Sequence, residues 1–175
     1  MRIGAVVVRL TALLAVAAGV SVVAAAPAEA APPIGKLYNS ATDTCLVVSG
    51  VPPYKLRLAE GCSSDLNFQM WYFVWRPSFG TTSDGYKRWA LRHQRTGLCL
   101  AVWSGFDPEV PVVSLKSDCN AAEVRLDGVG NSLYNVTLRN TQPGATGGSH
   151  VCLDAGVRAM ALRCNYGDNQ RWRKI

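Results

Sequence analysis

Three times along the chain a Cys-Leu pair is followed by a second cysteine 12 to 20 residues later: Cys45-Leu46 with Cys62, Cys99-Leu100 with Cys119, and Cys152-Leu153 with Cys164. The leading cysteines stand at 45, 99 and 152, steps of 54 and 53 residues. A fixed period of that size means that one small supersecondary unit has been copied, and that no copy buries its apolar face alone. Two copies end in Gln-x-Trp, as Gln69-Met70-Trp71 and Gln170-Arg171-Trp172; the second reads Glu123-Val124-Arg125-Leu126-Asp127 there, so it is expected to be the least regular. The copies span about 34–74, 87–127 and 134–175.

Inside each copy the same order of segments recurs. An alternating segment comes first (Lys36–Asn39, Trp89–Arg92, Val136–Arg139), then the Cys-Leu segment (Cys45–Val48, Cys99–Val102, Cys152–Ala155). A third alternating segment precedes the second cysteine (Leu56–Leu58, Val113–Leu115, Met160–Leu162), and a fourth carries the Gln-x-Trp position, best kept as Trp71–Val74. Period-two alternation bounded by Gly, Pro, Asn and Asp predicts short β-strands and turns. No helical stripe stands out. Four strands in each of three copies predict an all-β chain of twelve strands, closed so that short edges are not left exposed.

Residues 1–30 read as a secretion signal: Arg2 and Arg9 come first, Leu10 to Ala26 form an apolar run, and Ala28-Glu29-Ala30 offers a small-residue cleavage site. The competing membrane anchor is disfavoured by the weakly apolar, Ala-rich run, by Pro27 and by the lack of a basic flank after it. Cleavage leaves residues 31–175 as one domain, without a membrane span, outside the cell, and the Ala- and Val-rich leader points to a bacterial source. All six cysteines lie in that part. An even count in an exported chain favours three disulfides, and pairing within each repeat is the simplest of the 15 connectivities. Each would contribute about 2–4 kcal/mol. No C-x2-C or H-x3-H spacing supports a metal site, and no cofactor is expected. The net charge of +6 falls by one on cleavage, a basic excess that favours acidic partners but is too diffuse to indicate nucleic acid.

With the triple Cys-Leu period and the stretch Cys164-Asn165-Tyr166-Gly167-Asp168-Asn169-Gln170-Arg171-Trp172, residues 34–175 resemble the ricin-type β-trefoil lectin family, the Gln-x-Trp repeat family. The resemblance implies a β-trefoil of three four-stranded repeats with one disulfide per repeat. It also implies a shallow sugar pocket in each repeat, built from an Asp after Cys-Leu, an aromatic on the third strand, an Asn after the second cysteine and the nearby Gln. Carboxylate acceptors fix hydroxyl geometry and an aromatic face covers the sugar's C–H patch. Carried over, the pattern is eroded. Repeat one has Val47 and Ser63, and repeat two has Ala101 beside an intact Asn120. Only repeat three keeps Asp154, Asn165 and Gln170, with Tyr166 as a substitute platform, because its third strand reads Met160-Ala161-Leu162-Arg163. Two readings of Asp154 stand: a sugar ligand, or the closure of a turn before Ala-Gly.

Catalysis is not expected. The chain has no G-x-S-x-G or H-E-x-x-H, His93 and His150 sit on different repeats, and the Gly144–Gly148 segment lacks a following Lys-Ser/Thr. The long connection between repeats one and two, residues 75–87, mixes rings and cations, the residue types of binding hot spots. Its Trp75, Arg76, Phe79, Tyr86 and Lys87 are candidate partner contacts, although Trp75 and Phe79 also suit a cover over the barrel. The sequence thus predicts a secreted, non-catalytic adaptor or targeting subunit, in an extracellular assembly of toxin type, that binds a protein partner. The alternatives are a lectin that binds a cell-surface glycan through repeat three and, more weakly, a trefoil hydrolase inhibitor.

Overall fold

In the computed structural model, residues 32–62, 68–104, 111–140 and 150–175 are described, and Ala31–Ile175 forms one compact unit. The leader, Ser63 and the Gly144–Gly148 segment lie outside the described residues. Each alternating segment becomes a strand. Repeat one gives β1 (Ile34–Asn39), β2 (Thr44–Val48), β3 (Leu56–Glu60) and β4 (Met70–Trp75). Repeat two gives β5 (Arg88–His93), β6 (Cys99–Ser104), β7 (Pro111–Lys116) and β8 (Leu126–Ser132). Repeat three gives β9 (Asn135–Asn140), β10 (Val151–Ala155), β11 (Ala159–Arg163) and β12 (Trp172–Lys174). Among the described residues, single 3-10 turns lie at Pro77–Phe79, Ala122–Val124 and Asp168–Gln170, and Phe68 also has 3-10 geometry.

The first and last strands of the repeats close a barrel. β1 pairs with β12 and β4, β5 with β4 and β8, and β9 with β8 and β12, all antiparallel. The middle strands form three hairpins, β2–β3, β6–β7 and β10–β11, whose second strands meet one another across one end. Closure removes the free edges that twelve short strands would otherwise present. Each disulfide joins the hairpin's first strand to the segment just after its second: Cys45–Cys62, Cys99–Cys119 and Cys152–Cys164, closing spans of 17, 20 and 12 residues. The pairing lies within each repeat, as the simplest connectivity has it.

One apolar core serves all three repeats, and its members recur with the repeat: Leu37, Leu91 and Leu138 from the first strands, Leu46, Leu100 and Leu153 from the Cys-Leu pairs. Trp71, Leu126 and Trp172 fill the Gln-x-Trp places, all fully buried. Each of the two indoles donates to the carbonyl of its own Cys-Leu leucine: Trp71 to Leu46 at 3.1 Å and Trp172 to Leu153 at 3.0 Å. A buried Trp therefore keeps its one polar atom satisfied.

A second device joins neighbouring repeats. Asn39, at the end of β1, donates to the carbonyls of Asp168, Asn169 and Arg171 at 2.9–3.2 Å. Asn140, at the end of β9, donates in the same way to Ala122, Glu123 and Arg125 at 3.0–3.4 Å. Asn39 of repeat one thus holds the 3-10 turn of repeat three, and Asn140 of repeat three holds that of repeat two. The last residue of β5 is His93, buried, with Nδ1 3.0 Å from Thr96 Oγ1. Its ring interacts with the Phe68 backbone in the turn of repeat one, and Nε2 is buried without a hydrogen-bond partner among the described residues. Repeat two carries one further irregularity, a register shift in the β8–β9 pairing between Val129 and Ser132. Gly130 sits in it with φ +150°, where a Cβ would collide with the Asn135 carbonyl oxygen.

Candidate functional site

Residues singled out in repeat three do come together, but by bonding to one another. The place after Cys-Leu lies on the face of its strand opposite the core leucine and is buried in every repeat, as Val47, Ala101 and Asp154. Asp154 Oδ2 accepts from Asn169 Nδ2 at 2.7 Å and Gln170 Nε2 at 3.1 Å. Asn169 escaped the sequence reading, and its spacing from Asp154 carries no signal that would reveal it. Gln170 also donates to the Arg163 carbonyl, while its Oε1 accepts from the Asn165 and Tyr166 backbone at 2.9 and 3.1 Å. Those four bonds use the full capacity of an amide. Gln170 shapes the turn and has nothing left for a sugar.

Asn165 Oδ1 accepts from the Gly167 N–H at 2.8 Å, closing a turn of its own. Tyr166 is 41% exposed with φ 57°, held in the left-handed region by the Gln170 bond to its backbone. One atom of the cluster is left over: Asp154 Oδ1 is buried without a hydrogen-bond partner among the described residues, and Gly156 places no side chain beside it.

The connection between repeats one and two is tied down along its length. Phe79 is only 5% exposed and packs with Ala90, Cys99, Ala101 and Val124 into a second apolar cluster. That corrects its candidacy as a partner contact: it is the lid over the Cys99 disulfide and the side of β5. Arg125 lies over its ring at 5.2 Å, and Arg88 donates to its carbonyl at 2.9 Å. Tyr86 is half-buried, its backbone N–H bonded to Thr82 Oγ1 at 3.0 Å and its ring under the Arg139 guanidinium at 5.7 Å. Asp84 reaches Arg139 at 3.5 Å.

Behind this loop, buried Asp127 bridges Arg88 and Arg139 at 3.1 and 3.3 Å. Burial works against the charge on Arg139. The hydrogen bond that Arg139 donates to the Tyr166 hydroxyl oxygen and the Asp127 carboxylate outweigh it, so its pKa lies above the ordinary arginine value. Arg139 thus ties the loop to the turn of repeat three. Sequence reasoning missed this hub, because its members are spread over repeat two, repeat three and the 75–87 connection. Arg76 is half-buried. Trp75 stays 46% exposed, with exposed Lys87 over its ring at 5.6 Å.

No family model and no curated protein matches the chain. Solved structures do. A mosquitocidal holotoxin aligns at TM-score 0.61 and 12% identity over 81% of this chain, which spans only 17% of that one. The designed three-fold symmetric protein ThreeFoil aligns at 0.60 and 19% identity, covering 81% of this chain and 97% of its own. The Rhizoctonia solani agglutinin aligns at 0.58 and 19% identity, covering 86% and 99%. The fold is a β-trefoil. At these identities the likeness carries the architecture, on which binding proteins, lectins and toxin parts are built.

Proposed function

We propose that the chain is a secreted, non-catalytic binding module that engages another protein, as the adaptor or targeting part of an extracellular assembly. The observation that carries this reading is Trp75: a large ring nearly half exposed, capped by Lys87, at the edge of a loop fastened to the barrel. A fastened loop loses little freedom on docking, and Trp beside a cation is hot-spot chemistry. Support comes from the three disulfides, which suit an oxidising compartment, and from the holotoxin, a larger chain of which 17% aligns with this one. Capture of partners from culture supernatant with the tagged chain tests the proposal. A stoichiometric partner lost with Trp75→Ala/Lys87→Ala supports it; recovery of the chain alone, as a monomer, overturns it.

A lectin reading through repeat three has one observation in its favour, the unpartnered Asp154 Oδ1 beside Gly156. Against it stand the burial of that carboxylate and the saturation of Gln170. A glycan array comparing the natural chain with Asp154→Asn decides: equal signal from both, or none from either, removes the lectin.

A further inference from the structure

The outer side of the barrel across β12, β1, β4 and β5 carries a repeated pattern, a cation stacked on a ring. Arg173 lies over Tyr38 at 4.5 Å, Arg92 over Tyr72 at 5.3 Å, and Arg95 over Phe68 at 4.4 Å. Strand register sets the first two pairs: Tyr38 opposes Arg173, and Tyr72 opposes Arg92 and, on its other side, Ile34. The neighbours Leu37, Trp71, Phe73 and Leu91 point into the core, so these side chains alternate outward. Phe68 is held from behind by Gly50, whose added Cβ would stand 3.0 Å from the ring. The three guanidinium groups are exposed, and among the described residues none has a carboxylate within ion-pair distance.

A guanidinium stacked on a ring keeps its N–H edges free and is already oriented, which is the state in which arginine grips a carboxylate bidentately. Four strands at about 4.8 Å spacing put Arg173 and Arg92 roughly 14 Å apart across the sheet, and the four-residue offset along β1 adds roughly 13 Å the other way. The strip therefore accommodates about six residues of extended chain, at about 3.3 Å each. Half-buried Met70 and partly exposed Ile34 lie between the cations. Alternation of cation and apolar surface matches a polypeptide carrying Asp or Glu among apolar residues better than it matches a uniformly sulfated polysaccharide. Asp43, at one edge, accepts from the Tyr38 hydroxyl at 2.9 Å and marks where the basic face stops.

We infer that this face docks an acidic, extended segment of the partner protein, with Arg92, Arg95 and Arg173 as its carboxylate grips. The inference rests on the protein-binding reading above and gives the partner its chemistry.

The test uses the full mature chain and fluorescence anisotropy with a labelled decapeptide that alternates Glu with apolar residues, its Gln counterpart, and a sulfated polysaccharide as competitor. The expected result is saturable binding of the Glu peptide alone, weakening as salt rises. Arg92→Gln/Arg173→Gln is expected to weaken it about tenfold, while Arg158→Gln/Arg163→Gln, an equal charge loss on exposed β10–β11 positions, changes it less than about twofold. Near-UV circular dichroism checks that each variant is folded. Equal loss in both double variants, no saturable binding of the Glu peptide, or tighter binding of the polysaccharide overturns the inference. The supernatant capture separates the two proposals. A partner kept by Arg92→Gln/Arg173→Gln but lost with Trp75→Ala/Lys87→Ala leaves the binding function standing and excludes this face.

Discussion

Repeats two and three build the same 3-10 turn from opposite materials. In repeat three the turn Asp168–Gln170 is threaded by a polar cluster, with Gln170 bonded on all sides and Trp172 plugging the core behind it. In repeat two the turn Ala122–Val124 has Val124 where the Gln would stand and Leu126 where the Trp would, both fully buried. Yet both turns are gripped by an Asn at the end of a first strand from another repeat, through three carbonyls each. The Gln-x-Trp motif is therefore a filling for the turn, and the external clamp is the part the two repeats share. Divergence of the motif in repeat two leaves the fold intact because the clamp belongs to another repeat.

The sharpest separation of the two repeats comes from their plugs. Trp172→Ala is expected to cost about 3–5 kcal/mol, from the cavity and the Leu153 carbonyl left without its donor. Leu126→Ala removes less volume and no hydrogen bond, and should fall toward the lower end of about 2–5 kcal/mol. Urea unfolding with disulfides intact measures both, and a larger loss at Leu126 would reverse the ranking. The clamps come next. Asn140→Ala should cost about 2–3 kcal/mol and Asn39→Ala at least as much, because each strands three carbonyls and Asn39 Oδ1 also accepts from the Ala41 and Thr42 backbone. A negligible loss for Asn140→Ala would mean that the turn of repeat two stands by itself, and the comparison would fail.

Gln170→Ala ranks below both. It frees the Asn165 and Tyr166 N–H groups, which lie near the surface where water replaces the lost acceptor, and leaves Asp154 with Asn169. A cost of about 1–2 kcal/mol is expected, together with faster amide exchange at residues 165 and 166 in the NMR spectrum. Unchanged exchange there would show that the clamp alone holds the turn.

Much of this was legible in the chain. The period, the four segments per copy and the within-repeat disulfides follow from alternation and cysteine spacing, since both report on which side chains face a shared interior. The clamp was not legible: Asn39 and Asn140 are single polar residues at strand ends, and their partners lie about 130 and 15–18 residues away. Burial of Asp154 was missed for a related reason. A resemblance gives a residue its family role, but whether its carboxylate faces solvent depends on what Asn169 and Gln170 do around it. The 75–87 connection read as rings and cations suited to a partner. Folding spends Phe79 on the second apolar cluster and Tyr86 on Arg139, leaving Trp75 and Lys87 outside.

Repeat one is where the comparison can be sharpened most finely, because its turn is met by His93 in the place of the clamping Asn. Burial is the main reason that His93 holds its proton less readily than the ordinary value of 6.5; the Phe68 backbone opposes this and the Arg95 charge adds to it. The unfolded chain therefore binds the proton more tightly than the folded one. The contribution of neutral His93 to stability is complete above pH 6.5 and is lost as pH falls below that value toward the folded pKa. His93→Asn supplies the amide that the other two clamps use, and removes the titration. At neutral pH the variant should lie within about 1 kcal/mol of the natural chain, the smallest of these effects. Between pH 7.5 and 5 its urea midpoint should fall less steeply than that of the natural chain. Parallel falls would mean that the histidine keeps its charge state on folding, and that the clamp of repeat one is already equivalent to its two counterparts.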